Sequence, residues 1–108
     1  MKVLPLLSTA VAALAFSLPA SAQDADAAKK TLKADGCTKC HAIDKSKKGP
    51  SYQKVAAKYK GKADAEAKLT EFLTKSPKVK MDDGSEEEHK SVKDKGQLPN
   101  LIKFILAQ

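Results

Sequence analysis

Apolar residues repeat at intervals of three and four residues in four segments of the chain, which is the spacing of one helix face. The segments are residues 24–35, 51–60, 64–75 and 98–106. Asp24 or Asp26 is suited to cap the first helix, and Gly36 to end it. Ser51 and Gly61 are suited to the same roles in the second. The pattern predicts an almost entirely helical chain.

The segment between the third and fourth helices lacks a helical period. Residues 76–96 are mostly polar, apart from a short alternating run at 78–81, and Asp82-Asp83-Gly84 is typical of a turn. A loop of this length without secondary structure is uncommon inside a small domain and is usually functional. We therefore expect this loop to contribute to a site.

The first 22 residues have the features of a secretory signal peptide. Lys2 supplies a positive start, an apolar stretch runs to Leu18, and small residues at positions 20 and 22 form an A-x-A cleavage site. The stretch is shorter than the roughly 20 apolar residues of a membrane-spanning helix. We expect cleavage after Ala22, a mature domain of residues 23–108, no stable membrane insertion and a bacterial periplasmic location.

The composition of the chain excludes several classes of protein. Removal of 22 of the 108 residues leaves 86, with 19 lysines, no arginine and 13 acidic residues, a formal charge of +6. This length and the two cysteines exclude a multidomain enzyme, a polytopic membrane protein and a disulfide-rich scaffold. Few aromatic and large aliphatic residues remain after cleavage. A chain this small with so few core residues usually needs an added group to fold.

Cys37-Thr38-Lys39-Cys40-His41 is a C-x-x-C-H sequence, the attachment signature of c-type haem. Two thiols at this spacing add across the two vinyl groups on one porphyrin edge, and the adjacent histidine becomes the proximal ligand of the iron. The macrocycle also supplies apolar surface that the sequence lacks. We predict one covalently bound haem c per chain, held by Cys37, Cys40 and His41.

Two cysteines at this spacing could also form a dithiol redox site, part of a zinc site or a structural disulfide. A dithiol redox site normally lies in a βαβ context, which the helical pattern does not provide. A zinc site would need a second cysteine pair or a histidine pair, and His89 is the one histidine left. A structural disulfide would leave His41 without a role. Haem attachment is therefore the favoured interpretation.

The chain resembles the small bacterial monohaem class I cytochromes c. The resemblance lies in Cys37 to His41, in Lys48-Gly49-Pro50-Ser51-Tyr52, in Val55-Ala56-Ala57-Lys58-Tyr59 and in the last apolar helix. It implies an all-α class I cytochrome c fold, with helices wrapped around the haem. It also implies a soluble carrier of single electrons, not an enzyme, in which the carbonyl of Pro50 accepts a hydrogen bond from the His41 ring.

The sequence departs from this family at the second axial ligand. The family usually offers a methionine, often flanked by prolines, from the loop before the last helix. Met81 and His89 are the two candidates in that loop, and both residue types bind haem iron. Met81 has no neighbouring proline, and counting back from the terminal helix favours the later position. We expect His89 to be the second axial ligand, with Met81 as the alternative. Glu86-Glu87-Glu88 could start a short helix that presents His89 to the iron.

The identity of this ligand changes the expected function. Replacing a thioether by imidazole removes the ligand that raises the potential, so a bis-histidine site predicts a more reducing carrier. If neither residue binds, the open iron would suit a protein that binds or senses small ligands such as gases. A dithiol protein without haem is the remaining alternative.

Clustered lysines predict the kind of partner. In a class I fold, Lys39, Lys45, Lys47, Lys48, Lys78 and Lys80 would surround the exposed haem edge. Such a patch speeds docking to a redox partner with an acidic surface. Nucleic acid is a poor match, since no arginine is present and an exported haem protein would not meet it. We expect a monomer.

Overall fold

Within residues 24–108, the fold consists of four helices and one small hairpin. A computed structural model describes residues 24–108, so the expected signal peptide and its cleavage site lie outside the described residues. The helices are α1 Ala25–Ala34, α2 Tyr52–Tyr59, α3 Ala65–Lys75 and α4 Leu98–Leu106. A 3-10 turn at Cys37–Lys39 follows α1, and the strands are β1 Lys78–Lys80 and β2 Glu86–Glu88.

The residues predicted to begin and end the first two helices are found at those positions. The side chain of Asp24 accepts a hydrogen bond from the Ala27 amide, and that of Ser51 accepts one from the Lys54 amide. These bonds satisfy amides that have no partner inside the helix. Gly36 follows α1 with φ of +71°, a left-handed conformation that glycine adopts without steric cost.

Helix α4 is the centre of the core. It packs against α1, α2 and α3, and its Leu101 and Ile102 are almost completely buried, at 1% and 2% exposed. The apolar stripe predicted for the last segment therefore faces the other three helices. The buried residues that surround it include Ala28, Leu32, Tyr52, Leu69, Leu73 and Val92.

The loop between α3 and α4 contains a hairpin that the periodicity did not predict. Strands β1 and β2 pair antiparallel, with Lys78 opposite Glu88 and Lys80 opposite Glu86. The expected short helix at 86–88 was wrong, because these three glutamates form β2. The fold is mostly helical, as predicted for a class I cytochrome c, with this small sheet added.

Two hydrogen bonds join the first and last helices. The Asp24 amide donates to Oδ1 of Asn100 at 2.6 Å, and Nδ2 of Asn100 donates to the Asp24 carbonyl at 2.9 Å. We expect Asn100→Ala to lower the free energy of unfolding by about 2 kcal/mol, since it removes two hydrogen bonds and each contributes about 1 kcal/mol. Urea denaturation measures the change. Gln97→Ala is the control, because the Gln97 side chain caps nothing, and an equal loss in both variants would contradict the prediction.

Candidate haem site

The C-x-x-C-H sequence forms one tight turn at the end of α1. The carbonyl of Cys37 accepts hydrogen bonds from the amides of Cys40 and His41, at 3.1 and 3.0 Å. This turn brings both cysteines and the histidine to one place on the surface of the core. Cys37 packs against the core cluster, and the two cysteines are not joined in a disulfide. Burial, and then the charge of Asp35, raise the pKa of the Cys37 thiol.

A hydrogen bond holds the ring of His41 by one of its two nitrogens. Its Nδ1 lies 2.6 Å from the carbonyl oxygen of Pro50, which can only accept, so Nδ1 carries the proton and donates. An imidazole that binds a metal in this tautomer would do so through Nε2. The ring of Tyr52 stacks against the His41 ring with a centroid distance of 5.3 Å and an angle of 28°.

The loop after His41 is fixed by backbone bonds at both ends. The amide of Gly49 donates to the Cys40 carbonyl at 2.8 Å, and the amide of Tyr52 donates to the Ala42 carbonyl at 2.9 Å. These bonds bring Gly49 against the His41 ring. A Cβ placed on Gly49 would lie 2.5 Å from Cε1 and 2.9 Å from Nδ1 of that ring. Residue 49 must therefore be glycine for the ring to keep this position.

Replacing Gly49 by alanine tests that close approach. We expect the ring of His41 to be displaced from Pro50, with a loss of about 1–3 kcal/mol of stability in the holoprotein, the usual range for overpacking. Thermal melting measures the loss, and the electron paramagnetic resonance spectrum of the ferric form reports the ligand geometry.

Gly61→Ala is the matched control for this variant. No atom lies within 4 Å of a Cβ built on Gly61, although its φ of +76° makes alanine strained there. This variant is expected to lose stability without a change in the iron spectrum. A normal spectrum in Gly49→Ala would show that the glycine is not needed by His41.

His89 lies directly after β2, and its position depends on the hairpin. Its amide donates to the carbonyl of Pro77 at 2.9 Å. Its Nδ1 lies 2.9 Å from the carbonyl oxygen of Lys90, so this nitrogen also donates, and in the neutral ring Nε2 carries no proton. The edge of Phe72 contacts the ring with a centroid distance of 4.7 Å and an angle of 65°. Burial, which outweighs the bond to Lys90, lowers the pKa of His89 and favours the neutral form.

The rings of His41 and His89 lie close together, between the motif and the hairpin. Their centroids are 6.0 Å apart and the ring planes make an angle of 50°. Two imidazoles bound on opposite sides of one metal ion, each at a metal–nitrogen distance of about 2 Å, have centroids about 6 Å apart. The residues therefore fit a haem iron held between His41 and His89.

Met81 lies in the turn of the hairpin. Its amide donates to the carbonyl of Ser85 at 2.7 Å, and its own carbonyl accepts from the amide of Gly84 at 3.0 Å. These bonds make Met81 part of the turn geometry, with a half-buried side chain. The ring of His89, the other candidate, has its centroid 6.0 Å from that of His41.

Two aromatic residues that no sequence motif places in the site contact the histidines. Tyr52 is 4% exposed and stacks on His41, while Phe72 contacts His89. Within residues 24–108, the Tyr52 hydroxyl is buried without a protein hydrogen-bond partner, and burial raises the pKa of this phenol strongly. An aromatic residue two positions after Gly49-Pro50 was the available signal for the first of these contacts.

Comparison with known proteins identifies the family. The profile of the family described as Cytochrome c matches residues 25–108. The chain belongs to the Cytochrome c family. This membership establishes haem c as the cofactor and confirms the predicted class.

A solved structure similar to this chain is the class 1 cytochrome MtoD from Sideroxydans lithotrophicus ES-1. The two are 50% identical with a TM-score of 0.77, over 80% of this chain and 97% of that one. Wild-type Nitrosomonas europaea cytochrome c552 is 27% identical with a TM-score of 0.56, over 77% of this chain and 96% of that one.

Among curated proteins, cytochrome c-551 of Pseudomonas aeruginosa is 50% identical over 42 residues, which are 39% of this chain and 40% of that protein. Cytochrome c-551 of Allochromatium vinosum is 39% identical over 56 residues, 52% of this chain and 60% of that protein. These alignments span between two fifths and three fifths of the relatives' length. None of the described helices of this cytochrome is long and apolar enough to cross a membrane.

Proposed function

We propose that this cytochrome carries one electron at a time on its haem. Cys37 and Cys40 would attach the haem through thioether bonds, and His41 and His89 would bind its iron. Pro50 fixes the orientation of the proximal ring. The bound iron supplies the change of oxidation state, so the chain needs no general acid, base or nucleophile. Its residues set the reduction potential and the access to the iron.

One observation carries this proposal: both histidines have the same arrangement of hydrogen bonds. In each ring, Nδ1 donates to a backbone carbonyl, that of Pro50 for His41 and that of Lys90 for His89. Such bonds fix the tautomer and the direction of a metal-ligating imidazole. The centroids of the two rings also lie 6.0 Å apart, close enough for both to bind one metal ion.

With a histidine on each side, the iron would have no position open to a small ligand. This arrangement favours electron transfer over ligand binding. His41 and His89 are attached to structures tied by backbone bonds, the loop at 42–50 and the β1–β2 hairpin. Because neither ring has to move when the iron changes oxidation state, the oxidised and reduced forms can keep one geometry. Imidazole on both faces also favours a lower potential than a histidine–methionine pair gives.

The location and partners belong to the same proposal. A cleaved signal peptide would deliver a soluble, monomeric carrier to the bacterial periplasm, where c-type haem is attached. Clustered lysines near the motif would dock it to redox partners with acidic surfaces. Lys47 supports this arrangement, because its ammonium group donates to the carbonyl of Thr38 inside the motif at 2.9 Å.

Potentiometry and carbon monoxide together test the carrier function. The purified holoprotein should titrate reversibly with one electron, and carbon monoxide should leave the Soret band of the reduced form unchanged for minutes. Rapid, tight binding of carbon monoxide would overturn the carrier and favour the ligand-binding alternative. A periplasmic product without covalent haem, made with the maturation machinery present, would overturn both.

A further inference from the structure

One buried polar side-chain group has no hydrogen-bond partner among residues 24–108, and it is the hydroxyl of Tyr52. Tyr52 begins α2 and is 4% exposed, so this oxygen is also shielded from solvent. Buried hydroxyls in proteins almost always have a partner, because an unpaired one loses its bonds to water and gains none in return. The proposed function gives this hydroxyl no role, since only the ring of Tyr52 contacts His41.

The position of the Tyr52 side chain is fixed from two directions. The amide of Tyr52 donates to the carbonyl of Ala42 at 2.9 Å, which ties the start of α2 to the residue after His41. The ring stacks against that of His41, with a centroid distance of 5.3 Å and an angle of 28°. The phenol therefore lies beside the imidazole that would bind the iron on the proximal side.

The hydroxyl is also close to both points of haem attachment. Cys37 packs against the core cluster to which Tyr52 belongs. Burial, and then the charges that Cys37 and Cys40 carry as thiolates, raise the pKa of the Tyr52 phenol. Both sulfur atoms are therefore near enough to act on the hydroxyl electrostatically. The phenol is thus a neighbour of all three residues of the motif that would hold the haem.

The polar groups next to Tyr52 in the protein are already paired. Nδ1 of His41 donates to the carbonyl of Pro50 at 2.6 Å. The hydroxyl of Ser51 accepts from the amide of Lys54 at 3.2 Å. The family's cofactor brings acceptors of its own, because haem c carries propionate carboxylates and the two thioether sulfurs. A carboxylate is a strong acceptor and a thioether sulfur a weak one, and a phenol can donate to either.

We propose that the Tyr52 hydroxyl donates a hydrogen bond to an acceptor atom of the bound haem. Tyr52 is then a positioning residue with two contacts, since its ring holds the imidazole of His41 and its hydroxyl holds the cofactor. This inference rests on the proposed function, in which His41 binds the iron and the two cysteines attach the haem.

This hydrogen bond has a consequence for the reduction potential. The reduced haem carries one electron more than the oxidised haem, so its acceptor atoms attract a donated proton more strongly. The Tyr52 hydroxyl therefore stabilises the reduced form more than the oxidised form and raises the potential. An imidazole from His89 lowers the potential relative to a thioether, so Tyr52 acts in the opposite direction to the distal ligand.

Tyr52→Phe in the holoprotein tests the inference, because it removes the hydroxyl and keeps the ring that stacks on His41. Tyr59→Phe is the matched control. The chain has two tyrosines, both in α2, and the Tyr59 ring lies beside the ammonium groups of Lys58 and Lys62. Potentiometry, thermal melting and the electron paramagnetic resonance spectrum of the ferric form are measured for both variants and for the wild type.

We expect Tyr52→Phe to lower the potential, with the equilibrium constant for reduction falling on the order of threefold, a part of what one hydrogen bond contributes. Its melting temperature should fall as well, because a paired hydroxyl is lost. Its electron paramagnetic resonance spectrum should stay that of the wild type, since His41 keeps its stacking partner. Tyr59→Phe should leave the potential unchanged.

Three results would overturn the inference. An unchanged or higher potential in Tyr52→Phe would mean that the partner of the hydroxyl is not the haem, even if the variant melts at a lower temperature. A higher melting temperature would mean that the hydroxyl is unpaired in the holoprotein, since removing an unpaired buried hydroxyl stabilises a protein. An equal loss of potential in Tyr59→Phe would mean that the effect does not depend on the position of Tyr52.

The pH dependence of the potential identifies the acceptor atom. A donated hydrogen bond favours the ionised form of a propionate, so with this acceptor the difference between wild type and Tyr52→Phe changes as the propionate titrates. A thioether sulfur has no proton to lose, so with this acceptor the difference is the same at every pH. Either result supports a bond from Tyr52 to the haem, and the nearness of both cysteines favours the second.

The wild-type protein separates failure of this inference from failure of the proposed function. A wild type that lacks covalent haem, or that does not titrate with one electron, would overturn the proposed function. A wild type that titrates normally beside a Tyr52→Phe variant of identical potential would overturn the role of the hydroxyl alone.

Discussion

Replacing His89 by alanine is expected to open the distal face of the iron. The ferric holoprotein should change from a low-spin to a high-spin spectrum, because one of two imidazoles placed 6.0 Å apart is removed. The reduced form should bind carbon monoxide at least about 100-fold more tightly, since a closed site that opens about 1% of the time weakens apparent binding by that factor. Visible spectra and carbon monoxide titration measure both effects.

Met81→Leu is the control for this variant, because Met81 is the alternative distal ligand. It should keep the low-spin spectrum and resist carbon monoxide, since Met81 belongs to the hairpin turn. His89→Met should restore six ligands and raise the potential on the order of 0.1 V, a fraction of the roughly 0.8 V that axial ligands span. A high-spin spectrum in Met81→Leu with a normal one in His89→Ala would reverse the assignment.

Removing both cysteines is expected to abolish the native fold as well as covalent haem. In Cys37→Ser/Cys40→Ser no thioether can form, and Cys37 no longer packs its sulfur against the core cluster. The remaining core is too small to stabilise a chain of this length without its cofactor. Most of the far-ultraviolet circular dichroism signal of the helices should disappear at 25 °C, and haem staining of a denaturing gel should be negative.

The single variants Cys37→Ser and Cys40→Ser provide a graded comparison. Each keeps one possible thioether, so each should retain part of the haem stain and melt at a temperature between those of the wild type and the double variant. If the double variant instead melts like the wild type, the helices hold the fold by themselves and the haem has no structural role.

The sequence predicted the helical part of this cytochrome well because that part depends on local signals. Capping by Asp24 and Ser51 and the stripe that ends at Leu106 are properties of neighbouring residues, and the structure contains them. The motif Cys37 to His41 is equally local. Its partner Pro50 followed from the family resemblance, and the hydrogen bond from His41 is present.

The hairpin could not be predicted because its strands are three residues long and carry almost no apolar residue. Glu86 to Glu88 face solvent and pair with a lysine-bearing strand, so neither helical nor alternating periodicity marks them. The position of His89 depends on this pairing and on the bond from its amide to Pro77. Its contact with His41, across 48 residues of sequence, is a tertiary property.

The central claim is that His41 and His89 bind opposite faces of one haem iron, and the near-infrared and visible spectrum of the ferric holoprotein tests it most directly. We expect a low-spin spectrum that lacks the methionine–iron charge-transfer band. The presence of that band would make Met81 the distal ligand and contradict the account. A high-spin spectrum would contradict it as well, because the iron would then be open on the side where His89 lies.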